Sequence, residues 1–275
     1  METLNKQNTI TVLIAVYNET DKFLRKSIES ILHQSFSDFE FIIINDGTAD
    51  KRCLEIINEY AKKDKRIRLI DNEENIGLVK SLNKGLKEAK GEYIARIDSD
   101  DIADLHRLKK QLRFMENNPD CVLCGSWSYI IDENDDIIGK KKFFTNYEEI
   151  KKKLIYFNFF THSSLFFRKD VALEYGGYNE KIKKAQDYDF ILKISAKNKI
   201  ANIPEFLCFN RIHSKSITSN GKKKQEWYAI ISRFRAVFLY GYPRIYFLKI
   251  IPAVFYFLFI PYFFEKIIFK FLWKK

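Results

Sequence analysis

The sequence predicts an α/β fold: a mostly parallel sheet with helices on both faces, followed by a hydrophobic and basic helical tail. Three observations carry this. Four apolar runs alternate with three helix-periodic segments over roughly the first hundred residues. Every connection between them is short. The polar, non-repeating residues gather just after the runs, where open α/β sheets bind their ligands.

Ile10 to Val16 is a near-continuous β-branched run and reads as a buried parallel strand. Tyr17-Asn18-Glu19 breaks it, and Thr20 or Asp21 is placed to cap a helix. In that helix Phe23, Leu24, Ser27, Ile28, Ile31 and Leu32 recur at helical spacing. Phe39 to Ile44 is a second strand ending in Asn45-Asp46-Gly47, with a helix from about Asp50 to Lys63 whose Leu54, Ile56, Ile57 and Tyr60 face inward. Ile67 to Ile70 is a third strand, Asn75-Ile76-Gly77 a turn, and Leu78 to Ala89 a third helix. Tyr93 to Ile97 is a fourth strand, closing on Asp98-Ser99-Asp100-Asp101.

A helix over Leu105–Asn117 is stopped by Pro119, and a strand follows over Val122–Ser128. Ile130 to Ile138 reads as a hairpin with a polar tip. Beyond it come a strand near Ser163–Phe167 and a helix near Tyr188–Ala196. No internal repeat is present.

The chain has 275 residues, 46% hydrophobic and 30% charged, enough for one sizeable core and not a disordered composition. Its formal net charge of +11 suits phosphorylated small molecules, anionic lipid or nucleic acid, without choosing among them. Four cysteines occur, and Cys121 and Cys124 form a C-x-x-C with neither a second pair nor a nearby His to complete a zinc set. Their setting is that of a buried strand, with positions three apart pointing to opposite faces. Reduced thiols and an intracellular setting are expected. Met1 to Thr9 is polar and has no secretory h-region.

Asp98, Asp100 and Asp101 put three carboxylates in four residues. Like charges this close raise one another's pKa unless a cation compensates. A hard divalent ion with oxygen ligands, Mn2+ or Mg2+, is the natural compensator. In isolation a D-S-D-D would equally be a solvated turn and helix cap; the preceding strand and the acids at the other strand ends favour metal. Asp46 is placed to accept hydrogen bonds from a base or ribose. No G-x-G-x-x-G accompanies it and no P-loop sequence exists, which weakens dinucleotide and P-loop readings. Gln186-Asp187-Tyr188-Asp189 precedes a helix; an acid there suits a general base, or simply an N-cap.

These segments together resemble the family 2 glycosyltransferases of GT-A fold. The matching stretches are Val12 to Glu19, Ile43 to Asp50, Asn75 to Leu78, Ala95 to Asp101 and Ala185 to Asp189, in the family's order and spacing. The likeness runs from about residue 9 to 215. It implies an inverting transfer of a sugar from a nucleotide donor, with UDP the usual nucleotide, onto a glycan or, if the tail described below binds membrane, a polyprenyl-diphosphate-linked acceptor in cell-surface polysaccharide synthesis. By the resemblance Tyr17, Glu19, Asp46, Asn75, Gly77, Arg96 and Asp98 bind the donor, Asp46 through the base. Asp98 and Asp100 hold the metal, His213 being a further candidate, and Asp187 is the catalytic base. His162 lies in an acceptor-side segment, though a lone His is more often structural. The family often has Pro where Ala15 stands and Glu where Gln186 stands. Losing the acid beside Asp187 would make Asp187 less basic. The organisation implied is a transferase domain over 1–222, with a donor half near 9–101 and an acceptor half near 102–222, and a separate tail over 223–275.

In the tail, a helix bearing Trp227, Ile230, Ile231, Phe234, Val237 and Phe238 is expected. Ile250 to Phe264 then runs fifteen residues without charge, interrupted by two prolines and flanked by Lys249, Lys266, Lys270, Lys274 and Lys275. That is short of the ~20 residues of a spanning helix. It fits a segment lying on a membrane, 241–275 meeting anionic headgroups at the inner face from the cytoplasm; a helix packed on the core and a true span are the alternatives. Two other functions share parts of this pattern. A nucleotidyltransferase would use the same metal and nucleotide but needs a glycine-rich or basic loop after the first strand. A nucleic-acid-binding protein would use the lysines, yet no recognised motif for one is present, so no nucleic-acid partner is expected.

Overall fold

In the computed structural model the described residues are 9–213 and 221–259. The first half alternates as the sequence predicts: β1 (Ile10–Val16), α1 (Asp21–Leu32), β2 (Phe39–Asn45), α2 (Lys51–Lys63), β3 (Ile67–Asp71), α3 (Leu78–Glu88) and β4 (Tyr93–Arg96). Period-two alternation sorts β1 between two cores. Ile10, Val12, Ile14 and Val16 join Leu24, Ile28 and Ile57 of α1 and α2. Leu13 joins Leu82 and Leu86 of α3 on the other face. Asp50 caps α2 by accepting from the Arg52 N–H, a contact worth about 1 kcal/mol. Cys53, rather than Leu54, takes the buried position beside Ile56 and Ile57.

The second half is β5 (Ile102–Ala103), α4 (Arg107–Asn117), β6 (Cys121–Ile131), β7 (Ile137–Lys141), α5 (Tyr147–Lys153), β8 (Phe166–Arg168), α6 (Lys169–Glu174), α7 (Gln186–Ser195) and β9 (Lys199–Arg211). One sheet of nine strands runs β3-β2-β1-β4-β8-β6-β9-β5, with β7 on β6. It is parallel from β3 to β4 and mixed beyond, because β8 enters antiparallel between β4 and β6. The predicted hairpin is the β6–β7 pair. The chain leaves β1 for β2 and β3 on one side and returns as β4 on the other. That reversal opens a crevice at the carboxyl ends of β1 and β4, the position at which open sheets take ligands.

One expectation changes. Cys121 and Cys124 do not face opposite ways: a register shift between Cys121 and Leu123 turns both thiols into one core cluster, the extra residue of a bulge altering the alternation. Both are buried and free, as expected of structural thiols.

In the tail, helix α8 (Lys222–Arg235) passes into a π turn over Ala236–Tyr240 and then α9 (Phe247–Phe259). Ile230, Ala236, Val237, Tyr242 and Ile250 sit in the same core cluster as Phe190, Ile191 and Leu192 of α7. The start of the tail thus shares a core with α7. Helix α9 continues through Pro252, and no described helix is long and apolar enough to cross a membrane. Pro261 and the lysines from Lys266 onward lie outside the described residues.

Candidate active site

The crevice is built from strand ends. β1 runs out into Tyr17, half exposed at 50%, and Asn18, whose positive φ of 50° turns the chain. Asn suits that conformation better than most residues. The Asn18 Oδ1 accepts from the Thr48 hydroxyl at 2.5 Å, tying the end of β1 to the end of β2. Glu19 accepts from the Ser99 hydroxyl at 3.0 Å, tying it to the loop after β4.

That loop assigns its three aspartates different tasks. The carboxylate of Asp98 meets both terminal nitrogens of the buried Arg96 guanidinium. It also accepts from the Ser163 hydroxyl at 2.9 Å, while Ser163 Oγ accepts from the Asp98 N–H at 3.0 Å. Burial pushes the Asp98 carboxyl upward, but Arg96 outweighs that and leaves it below its ordinary value. Asp101 is wholly buried and accepts from the Arg211 N–H at 2.7 Å and from Asn210 Nδ2, joining the loop to the end of β9. Its carboxyl is pushed up to about 6 by burial and by Asp98.

Asp100 faces the crevice. Its Oδ2 lies 3.0 Å from His213 Nε2. Burial, then the carboxylates of Asp101, Asp98 and Glu19, push it up to about 9. One oxygen from each of Asp98, Asp100 and Asp101 falls within 4.8 Å of the others. An oxygen-rich cluster in which burial and like charge raise Asp100 this far suits a hard divalent cation. Asp101 is engaged by Asn210 and Arg211 and Asp98 by Arg96 and Ser163, while Asp100 lies beside His213.

Asp46, for which contact with the base is expected, follows directly on β2. It is buried, and its oxygens accept from Asn72 Nδ2 at 3.0 Å, the Ser81 hydroxyl at 2.8 Å and the Ile76 and Gly77 N–H groups at 3.0 and 3.1 Å. The carboxylate thereby shapes the loop carrying Asn75, which is exposed, and Gly77, whose φ of 90° begins α3. Gly47 beside it, at φ 66°, leaves no room for a Cβ against the Glu74–Asn75 peptide.

Asp187 sits in the first turn of α7, after Ala185 in the left-handed region at φ 54°. Asn158 Nδ2 donates to its Oδ2 at 2.8 Å. Burial raises its carboxyl, and it lies within electrostatic reach of Arg96 and Asp98. His162, between Arg96 and Tyr178, is held neutral by burial and by the guanidinium, its Nε2 3.1 Å from the Tyr178 hydroxyl.

Sequence reasoning missed several members. Ser163, in a 3-10 turn, and Asn158, in irregular chain, brace Asp98 and Asp187 and are ordinary polar residues by sequence. Lys141 on β7 is more easily overlooked still. Burial lowers its pKa, Asp101 and Asp187 lie within reach, and its Nζ donates to Asn210 Oδ1 at 2.6 Å. Nothing in its local sequence separates it from Lys140 and Lys142.

Residues 11–176 match the description "Glycosyl transferase family 2", which covers more than half of the chain. The chain belongs to glycosyltransferase family 2. An uncharacterized glycosyltransferase of Methanocaldococcus jannaschii is 42% identical over 222 residues, 80% of this chain and 76% of that one. The O-antigen biosynthesis glycosyltransferase WbnJ of Escherichia coli is 37% identical over 75% of this chain and 81% of its own. The fold matches that of S. aureus TarS in complex with UDP-GlcNAc, with TM-score 0.72 at 16% identity over 94% of this chain and 77% of that one. It also matches the mannosyltransferase PcManGT of Pyrobaculum calidifontis in complex with GDP-Man and Mn2+, with TM-score 0.68 at 14% identity over 92% and 70%. The GT-A architecture expected from the sequence is thus the fold of this family 2 glycosyltransferase. Nucleotidyl transfer gives way to glycosyl transfer.

Proposed function

We propose that this glycosyltransferase moves a sugar, with inversion, from a UDP-sugar to a hydroxyl of a glycan or polyprenyl-diphosphate-linked acceptor during cell-surface polysaccharide synthesis. The observation that carries this is the pairing of two acidic centres in one crevice. Asp98 and Asp100 form the donor side, and the part-buried Asp187, its carboxyl raised, stands within electrostatic reach of Asp98.

Tyr17, Glu19 and the Asn75–Gly77 loop shape the nucleotide pocket, and Asp46 serves by fixing that loop. Arg96 orients Asp98. Asp98 and Asp100 would hold Mn2+ or Mg2+, with His213 adjoining; when bound, the ion supplies charge stabilisation for the departing diphosphate. Asp187 takes the proton from the acceptor oxygen as that oxygen attacks the anomeric carbon. Burial raises its basicity, and the Asn158 amide fixes which oxygen is presented. A single base suffices, because inversion needs no covalent sugar intermediate.

The acceptor reading is supported by the tail. Leu248, Ile251, Phe255 and Leu258 recur at helical spacing on α9 and are 48–62% exposed. Such a face, with Arg244 and Lys249 nearby and further lysines to the C-terminus, suits an anionic bilayer surface and hence a lipid-linked acceptor at the inner face of the membrane.

The test is a donor screen with manganese, comparing UDP-glucose, UDP-galactose and their N-acetylamino forms. Release of UDP with appearance of the free or transferred sugar supports the proposal. Release of pyrophosphate, or no turnover of any donor, overturns it.

A further inference from the structure

Three consecutive residues in the first turn of α7 are gripped from outside the helix. Asn158 holds Asp187. Tyr188 donates to the Leu154 carbonyl at 2.5 Å and accepts from Arg233 Nε of α8 at 3.4 Å. Asp189, wholly buried, accepts from the Tyr240 hydroxyl at 2.9 and 3.0 Å, and Arg235 Nε lies 3.3 Å from its Oδ1. Arg235 Nε also donates to Tyr240 Oη at 2.9 Å, closing a triangle of carboxylate, phenol and guanidinium.

The helix has little of its own to fix this turn. Its N-cap, Ala185, makes no side-chain cap bond and stands in a conformation that costs a non-glycine residue energy. The triangle in turn depends on the π turn at Ala236–Tyr240. Residues five apart on an α-helix diverge by about 140°, whereas a π turn, bonded i to i+5, stacks them. Arg235 and Tyr240 are five apart. A regular helix here would turn the Tyr240 hydroxyl away from Asp189.

We infer that α8 and its π turn belong to the catalytic apparatus: Arg235 and Tyr240 grip Asp189 and so hold the turn of α7 that presents Asp187. The inference rests on Asp187 acting as the base, as proposed above. Arg235, Tyr240 and Asp189 are positioning residues, acting through the turn that carries Asp187. Part of what the sequence sets off as a tail is thereby tied to the chemistry through Arg235 and Tyr240.

The experiment uses the full chain, the UDP-sugar panel with manganese, and the variants Tyr240→Phe, Arg235→Gln and Arg235→Lys, with Asp187→Asn as reference. Tyr240→Phe and Arg235→Gln are expected to lower kcat about ten- to a hundredfold, as misplacing a reacting group does. The donor KM should stay within about twofold, since the donor side is untouched. Arg235→Lys should recover part of the loss. Hydrogen exchange supplies a readout independent of turnover: the amides of residues 187–190 should exchange faster in Tyr240→Phe while β1 and β2 are unchanged. Parental kcat and parental exchange in both Tyr240→Phe and Arg235→Gln, beside an inactive Asp187→Asn, would overturn the clamp alone. An Asp187→Asn protein as active as its parent would remove the general-base reading and the clamp with it.

Discussion

The His213 imidazole stands 3.0 Å from the Asp100 carboxylate, a contact that joins residues 113 apart in sequence. It brings the chain just beyond β9 onto the loop after β4, and Arg211 strengthens the junction by donating from Nε to the Asp100 carbonyl at 2.8 Å. The acidic loop that follows β4 is therefore anchored on the end of β9.

Replacing Asp100 with Asn should leave the fold intact and lower kcat by about 10²–10³, the usual cost of removing one electrostatic stabiliser of the leaving group. Chelation by EDTA should abolish turnover of the wild type, and manganese should restore it. UDP release from the donor panel reads both effects. Parental turnover in Asp100→Asn, or in EDTA, would count against a cation held there.

Metal affinity should rise with pH. Asp100 is pushed up to about 9, so below that pH a cation must displace its proton. Manganese titrations at pH 6.5 and 8.5 should show tighter binding at the higher pH and proton release into the buffer at the lower. In the metal-free protein the same proton acts on stability in the opposite direction. The folded pKa exceeds the unfolded one, so the stability contribution is fullest near pH 4 and fades as pH rises toward 9. A metal affinity that does not change with pH would contradict this electrostatic account.

The raised carboxyl of Asp187 should set the acid limb of the rate profile above the ordinary aspartate range. Activity should climb as pH rises through that value, because a base works only when deprotonated. Asn158→Ala, which removes the amide on Oδ2, should lower kcat more than it raises the donor KM. Initial rates from pH 4 to 8 check both.

Asp46→Ala should act on stability and donor KM together. It orphans four donors on the 72–81 segment, and leaving buried groups unpaired costs about 1–3 kcal/mol apiece where water cannot replace the partner. Gly47→Ala should destabilise through the Glu74–Asn75 peptide and its φ of 66°. Urea denaturation reads both.

Membrane contact is tested on the surface of α9. Deleting 241–275 would remove Tyr242 and Ile250 from the core, so Leu248→Ser with Phe255→Ser is the cleaner change. That double variant should lose flotation with anionic phospholipid vesicles and keep the parental melting temperature. Equal flotation of variant and parent would leave the face without this role.

Most of the α/β frame could be read from the chain. Runs such as Ile10–Val16 and Phe39–Asn45 are buried on both sides, and their apolar composition states as much. Helices such as α2 announce their buried faces by spacing. The edges were less legible: Leu54 and Cys53 exchange places because helical spacing defines a face, not which of two neighbours sits deepest. The bulge that turns Cys121 and Cys124 into one core arises from pairing with β9, which local alternation cannot register. Strand-end acids were visible as a set, but their separate tasks were not.

Sequence alone determined the alternating frame, the order of the motifs and the clustering of acids beyond β4, because periodicity and turn chemistry act over a few residues. Tertiary structure decided that Asp46 braces the loop before α3, that Asp101 holds the end of β9, and that Arg235 and Tyr240 reach Asp189. A carboxylate's task depends on which donors and charges surround it once buried, and those arrive from segments tens to more than a hundred residues away.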